Sequence, residues 1–69
     1  MYKIKLLLAK SVTKINDRTE IGIIKSSMIP DVGKTIVYKG EAYKTISLYY
    51  EVDDNDELIL SLIVHKITK

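Results

Sequence analysis

The sequence predicts an all-β protein of about five antiparallel strands in a meander, closed into a small barrel or a compact sandwich. Three observations carry this. Lys34 to Ile67 consists almost wholly of runs rich in Ile, Val, Thr, Tyr and Leu, which suit a pleated, half-buried surface. Two turn signals divide those runs, Lys39-Gly40 and the acidic cluster Asp53-Asp54-Asn55-Asp56-Glu57. The apolar residues alternate with period two, at Tyr2, Ile4, Leu6 and Leu8 near one end and at Leu58, Leu60, Leu62 and Val64 near the other.

The elements follow in order. Lys3 and Lys5 interrupt the first apolar series, which is strand alternation. Ile4, Leu7, Leu8, Ser11 and Val12 also have helical spacing, but no N-cap residue precedes them and the remainder of the chain reads as β. Asn16-Asp17-Arg18-Thr19 reads as a turn. Glu20 to Lys25 is a second strand, in which Gly22 marks a bulge or a close backbone approach. Residues 26–33 form a loop. Pro30 pushes Ile29 toward an extended conformation, and Gly33 can supply a positive φ.

Thr35 to Lys39 is the third strand and Ala42 to Val52 the fourth, joined by a two-residue hairpin loop at Lys39-Gly40. That register sets Val37 opposite Ala42 and Ile36 opposite Tyr43. It also creates a conflict. Ile36, Tyr43 and Thr45 share one face, whereas Ile46, Leu48, Tyr50 and Val52, the strongest apolar series, have the other parity. Either a bulge near Thr45 resets the parity, or both faces of the strand are covered. Leu58 to Ile67 is the fifth strand. Its even positions are all apolar, and its odd positions include Ile59, Ile63 and Ile67. Strands of this kind are buried on both sides. In so short a chain the second side calls for a partner, so self-association or a sticky face is expected.

The 69 residues make one domain, 1–69. With no Cys and one His, neither a disulfide nor a thiolate zinc site is available. Stability must come from the apolar residues, 46% of the chain, or from association. No apolar run approaches the roughly 20 residues of a membrane helix, so the expectation is a cytoplasmic protein without a membrane partner. The net charge of +2 is unevenly spread. Residues 1–34 hold seven basic and three acidic side chains, for +4; residues 35–69 hold four and six, for −2.

Motifs for catalysis or metal binding are absent or broken. Gly33-Lys34-Thr35 spells the end of a phosphate-binding loop, but Met28 stands where its first Gly belongs and a strand follows where a helix is needed. Asp53, Asn55 and Glu57 alternate like calcium ligands without the turning Gly or the later ligands. His65 has no Ser, Cys or carboxylate at a relay spacing. The reading is therefore a non-enzyme with no cofactor and no metal.

Five tyrosines, with no Trp or Phe, are the residues most suited to an interface. Tyr43 and Tyr49 share parity on the fourth strand, beside Tyr50. The expected protein-binding surface is Tyr43, Tyr49 and Tyr50 with Asp53, Asp54, Asp56 and Glu57 as an electrostatic rim. The alternative is a small nucleic-acid-binding barrel, with Lys3, Lys5, Lys10, Lys14, Arg18 and Lys25 on the backbone and tyrosines stacking bases. Sequestration of a small ligand between subunits is a third reading.

Met28-Ile29-Pro30-Asp31-Val32-Gly33-Lys34-Thr35-Ile36, followed by Tyr38-Lys39-Gly40-Glu41-Ala42-Tyr43, resembles small phage and prophage proteins with SH3-like barrels. In these a Pro-x-x-Gly corner leads into a Tyr-x-Gly-x-x-Tyr hairpin, followed two positions later by an apolar residue; here that position is Thr45. The expected function is a module that occludes or bridges a protein partner, as phage-encoded inhibitors of host defence proteins do, working as a homodimer in the host cytoplasm. The resemblance itself implies a small accessory or host-directed protein. It assigns no site residues.

Overall fold

The computed structural model describes residues 2–10 and 17–67. It contains five strands: β1 (Tyr2–Ala9), β2 (Arg18–Ser26), β3 (Thr35–Tyr38), β4 (Glu41–Val52) and β5 (Leu58–Lys66). All five belong to one sheet in the order β2-β1-β5-β4-β3. The all-β class is as expected, but the sheet is mixed rather than a pure meander. β1 runs parallel to β5, with Ile4 beside Leu60 and Leu8 beside Val64, while every other pairing is antiparallel. The parity of the strand count explains this. Five strands alternating in direction leave the first and last pointing the same way, so their meeting must be parallel. The break in the ring falls between β2 and β3.

The sheet curls into a half-barrel. In a flat five-stranded sheet the edges lie roughly 19 Å apart, four spacings of about 4.8 Å. Here the side chain of Tyr38, on edge strand β3, lies against the backbone of Gly22, on edge strand β2. A Cβ at position 22 would overlap the Tyr38 hydroxyl and lie 2.8 Å from Cζ. Both readings of Gly22 hold, because a bulge sits beside it: Leu6 pairs with Gly22 and Leu7 with Glu20, leaving Ile21 as the extra residue.

The inner face carries the main core, Ile4, Leu6, Tyr43, Leu60, Leu62 and Val64. Ile21 and Ile24 from β2, Ile29 from the 27–34 loop, and Ile36 and Tyr38 from β3 pack onto it. The outer face carries a smaller cluster, Leu7, Ala9 and Ile63, with Ile46 and Tyr49 against it. Both sides of β5 are thus buried. Ile63 is 2% exposed and Ser61 is fully buried, so at these odd positions the chain covers itself and needs no second molecule. Ile59 is half-buried and Ile67 exposed.

The parity conflict in β4 is resolved by a bulge. Thr45 pairs with Val64 and Ser47 with Ile63, which leaves Ile46 as the extra residue. Tyr43 and Thr45 before the bulge, and Leu48, Tyr50 and Val52 after it, therefore share the inner face. Thr45 holds the loop before β3 in place. Its backbone accepts the Gly33 N–H and donates to Lys34 O, at 3.0 and 2.9 Å. Its hydroxyl lies 2.9 Å from the carbonyls of both Asp31 and Lys34. The hydroxyl has one proton for these two acceptors; an apolar side chain would take it from Asp31 O, while Lys34 O would keep the Thr45 N–H.

Both hairpin turns follow from their residues. Val37 pairs with Ala42 and Ile36 with Tyr43, as the Lys39-Gly40 signal implies. Lys39 and Gly40 both take positive φ, 50° and 81°, the signature of the turn whose twist matches its strands. In the acidic turn the Asp53 carbonyl accepts the Asp56 N–H at 3.0 Å, and Asp56 is left-handed at φ 61°. The Asp53 carboxylate accepts the N–H groups of Asn55 and Glu57, each at 2.9 Å. The Asn16–Thr19 turn is redrawn: Arg18 and Thr19 belong to β2, and Asn16 lies outside the described residues.

Candidate functional site

The tyrosines do not form the expected surface. Tyr43 is only 9% exposed and belongs to the core. Tyr49 lies on the opposite face, because the bulge at Ile46 separates the parity of the two residues. A binding face anchored on Tyr43 and Tyr49 together is thereby corrected. Tyr49 packs on the outer cluster and is held by Arg18, whose Nη2 donates to its hydroxyl at 2.7 Å with the guanidinium 5.3 Å from the ring centroid. This contact ties β2 to β4 across the two intervening strands.

Tyr50 does face solvent, and it has company. Tyr50 pairs with Leu60, and Val52 with Leu58, on the inner face. Tyr50, Val52 and Leu58 are 58%, 65% and 58% exposed. Tyr2 continues the row on β1: it precedes Ile4 by two residues, as Leu58 precedes Leu60, and it is also exposed. The inner face is thus a closed core over most of its length and an open apolar row at one end. Leu58, Val52 and Tyr2 were not picked out by sequence, although one signal was there: apolar residues at the last pairs before a charged turn have little sequence around them to act as cover.

The acidic turn caps the same end. Asp53 is committed to the turn, since its carboxylate binds two backbone N–H groups. Asp54, Asp56 and Glu57 are exposed, and among the described residues none joins an ion pair. Of the surface expected from sequence, the fold brings Tyr50 together with Asp54, Asp56 and Glu57, uses Asp53 as scaffold, and places Tyr43 and Tyr49 elsewhere.

The basic residues scatter. Lys3 and Lys25 face each other across β1 and β2 on the outer face. Lys5 reaches Glu20 at 3.8 Å and Lys10 reaches Asp17 at 3.8 Å. Arg18 is engaged with Tyr49, and Lys14 lies outside the described residues. The outer face presents no exposed tyrosine among the described residues; the exposed ring nearest these lysines is Tyr2, on the inner face of β1 next to Lys3. At the far end from the acidic turn, Leu8, Ala9, Lys10, Asp17 and His65 line a recess of about 570 Å³. No cluster of three or more His, Asp or Glu side chains suited to a metal occurs among the described residues. Among the described residues no helix is long and apolar enough to cross a membrane.

The fold and its open end define a five-stranded half-barrel with an apolar mouth beside an acidic turn. No family model, curated protein or solved structure matches it.

Proposed function

We propose that this chain is a non-enzymatic protein-binding module that docks through the open end of its half-barrel. Tyr50, Val52, Leu58 and Tyr2 are the apolar anchors, and Asp54, Asp56 and Glu57 the acidic rim. The supporting observation is the adjacency on paired strands of three large apolar side chains, each more than half exposed. Isolated exposed apolar residues are ordinary, whereas a contiguous set rimmed by charge marks an interaction site. Tyr50 supplies an anchor of large area and few rotamers, and the acidic rim speeds encounter with a basic surface and fixes its register. The work done is occlusion of the partner's surface. The phage-protein resemblance extends the proposal to inhibition of a host protein.

The nucleic-acid reading is weaker, because the expected basic residues do not form one surface: only Lys3 and Lys25 lie near an exposed ring, Tyr2, whereas Lys5 and Lys10 pair with Glu20 and Asp17 and Arg18 holds Tyr49. A gel shift at low salt addresses it directly.

The test has two stages. A partner captured from host lysate is identified and its affinity measured by calorimetry. The double variant Tyr50→Ala/Leu58→Ser is expected to lose at least about tenfold in affinity, about 1.4 kcal/mol, with its unfolding midpoint little changed. Val37→Ser, an equally exposed apolar site on the outer face, should leave affinity intact. Equal affinity in the double variant and the parent would sink the reading.

A further inference from the structure

We infer that the open end accepts a second copy of this chain in a two-fold contact; this rests on the reading of that end as a docking surface and names its occupant. The argument is charge placement. Across the sheet at this end the order is β2, β1, β5, β4. Lys25 near the end of β2 and Lys3 near the start of β1 form a basic flank, and their Cα positions are paired. The turn between β4 and β5 carries Asp54, Asp56 and Glu57 on the other flank. The apolar row of Tyr2, Leu58, Val52 and Tyr50 lies between them. Among the described residues, neither the two lysines nor the three acids join an ion pair, so both flanks are open to an outside charge.

A surface with basic and acidic flanks around an apolar centre is its own complement under the right rotation. A two-fold axis passing at Leu58 on β5, the middle strand of the row, reverses the strand order and lays row on row, with Tyr2 of each copy opposite Val52 and Tyr50 of the other. It sets the Lys3–Lys25 flank of each copy on the acidic turn of the other. Isologous contacts require this self-complementarity, in which each patch meets itself turned by half a revolution. Lysine stems are long and flexible enough to bring ammonium groups from the outer face round the sheet end. A patch of four apolar side chains is small. It belongs with the weak contacts that bury under about 1,200 Å², so the dimer forms at tens to hundreds of micromolar and weakens with salt.

Sedimentation equilibrium tests this with two charge-reversal variants, Lys3→Glu/Lys25→Glu and Asp54→Lys/Glu57→Lys. The unaltered chain is expected to dimerise with rising concentration. Each variant alone faces like charge with like charge and should dimerise at least about tenfold more weakly. An equimolar mixture of the two should form a heterodimer at least as tight as the original. A monomer at every concentration to 0.5 mM overturns the inference, as do single variants that dimerise normally or a mixture that fails to associate. Should a charge variant fail to fold, Val52→Ser/Leu58→Ser replaces it: loss of the dimer there upholds the contact, and retention overturns it. A monomeric parent that still loses its lysate partner through Tyr50→Ala/Leu58→Ser would remove the second copy while leaving the docking reading in place.

Discussion

The β4–β5 ribbon has two halves that differ little in side-chain chemistry and sharply in fate. In one half, Tyr43, Leu62 and Val64 are buried, with the Thr45 hydroxyl bonded among them. In the other, Tyr50, Val52 and Leu58 lie on the same face and remain exposed. Both halves alternate, both pair antiparallel, and both point inward. What separates them is cover. The first half lies beneath Ile29, Ile36 and Tyr38, which reach it because the loop before β3 is pinned to Thr45 and the sheet curls until Tyr38 meets Gly22. β3 is only four residues long and pairs with β4 no further than Lys44, so the second half has no strand beside it on that edge. An apolar pattern specifies which side of a ribbon is greasy. Whether that side is core or contact surface depends on what the rest of the chain lays over it.

The contrast predicts different costs for the same substitution. Leu62→Ala removes a fully buried side chain at the centre of the covered half and should destabilise by about 2–5 kcal/mol, through lost burial and the cavity left behind. Leu58→Ala, two pairs away at the bare end, should change stability by less than about 0.5 kcal/mol. Chemical denaturation measures both. Similar losses at the two sites would mean that the open end is covered after all.

The curl that produces the cover is tested at Gly22. Gly22→Ala places a methyl group into the ring of Tyr38 and should cost about 1–3 kcal/mol, as overpacking does. Combining it with Tyr38→Ala should remove most of the additional penalty, so the double-mutant cycle is strongly non-additive. Additive costs would place Tyr38 away from Gly22 and open the half-barrel.

A gain in stability is expected at the bare end. Asp56 occupies a left-handed conformation that glycine adopts without penalty. Asp56→Gly should therefore raise the unfolding free energy by up to about 1 kcal/mol. It should also weaken any salt-sensitive association, since a rim charge is lost. Lower stability would show that the Asp56 side chain contributes more to the turn than its backbone geometry costs.

Much of the fold was legible because its signals are local. The Lys39-Gly40 turn fixed the β3–β4 register to the residue, since two consecutive positive φ angles leave one pairing. The parity conflict in β4 left two readings, a bulge near Thr45 or cover on both faces, and the sheet takes the bulge, because one extra residue switches a period of two from face to face. The β1–β5 pairing was not foreseen, since it joins strands far apart in the chain that no turn connects. The candidate site was only half legible for the same reason. The acidic rim and Tyr50 sit beside a turn and can be read from it. Tyr43 and Tyr49 looked alike until a single extra residue sent them to opposite faces.

By itself, the order of residues determined the strands, their turns and the alternation that gives each strand its greasy side, because these depend on neighbours along the chain. Only the folded sheet decided that β1 would close against β5, that Tyr43 would be interior, and that Tyr50, Val52 and Leu58 would be left bare. Those outcomes depend on curvature and on the reach of one edge strand, and both arise from contacts between residues that are distant in sequence.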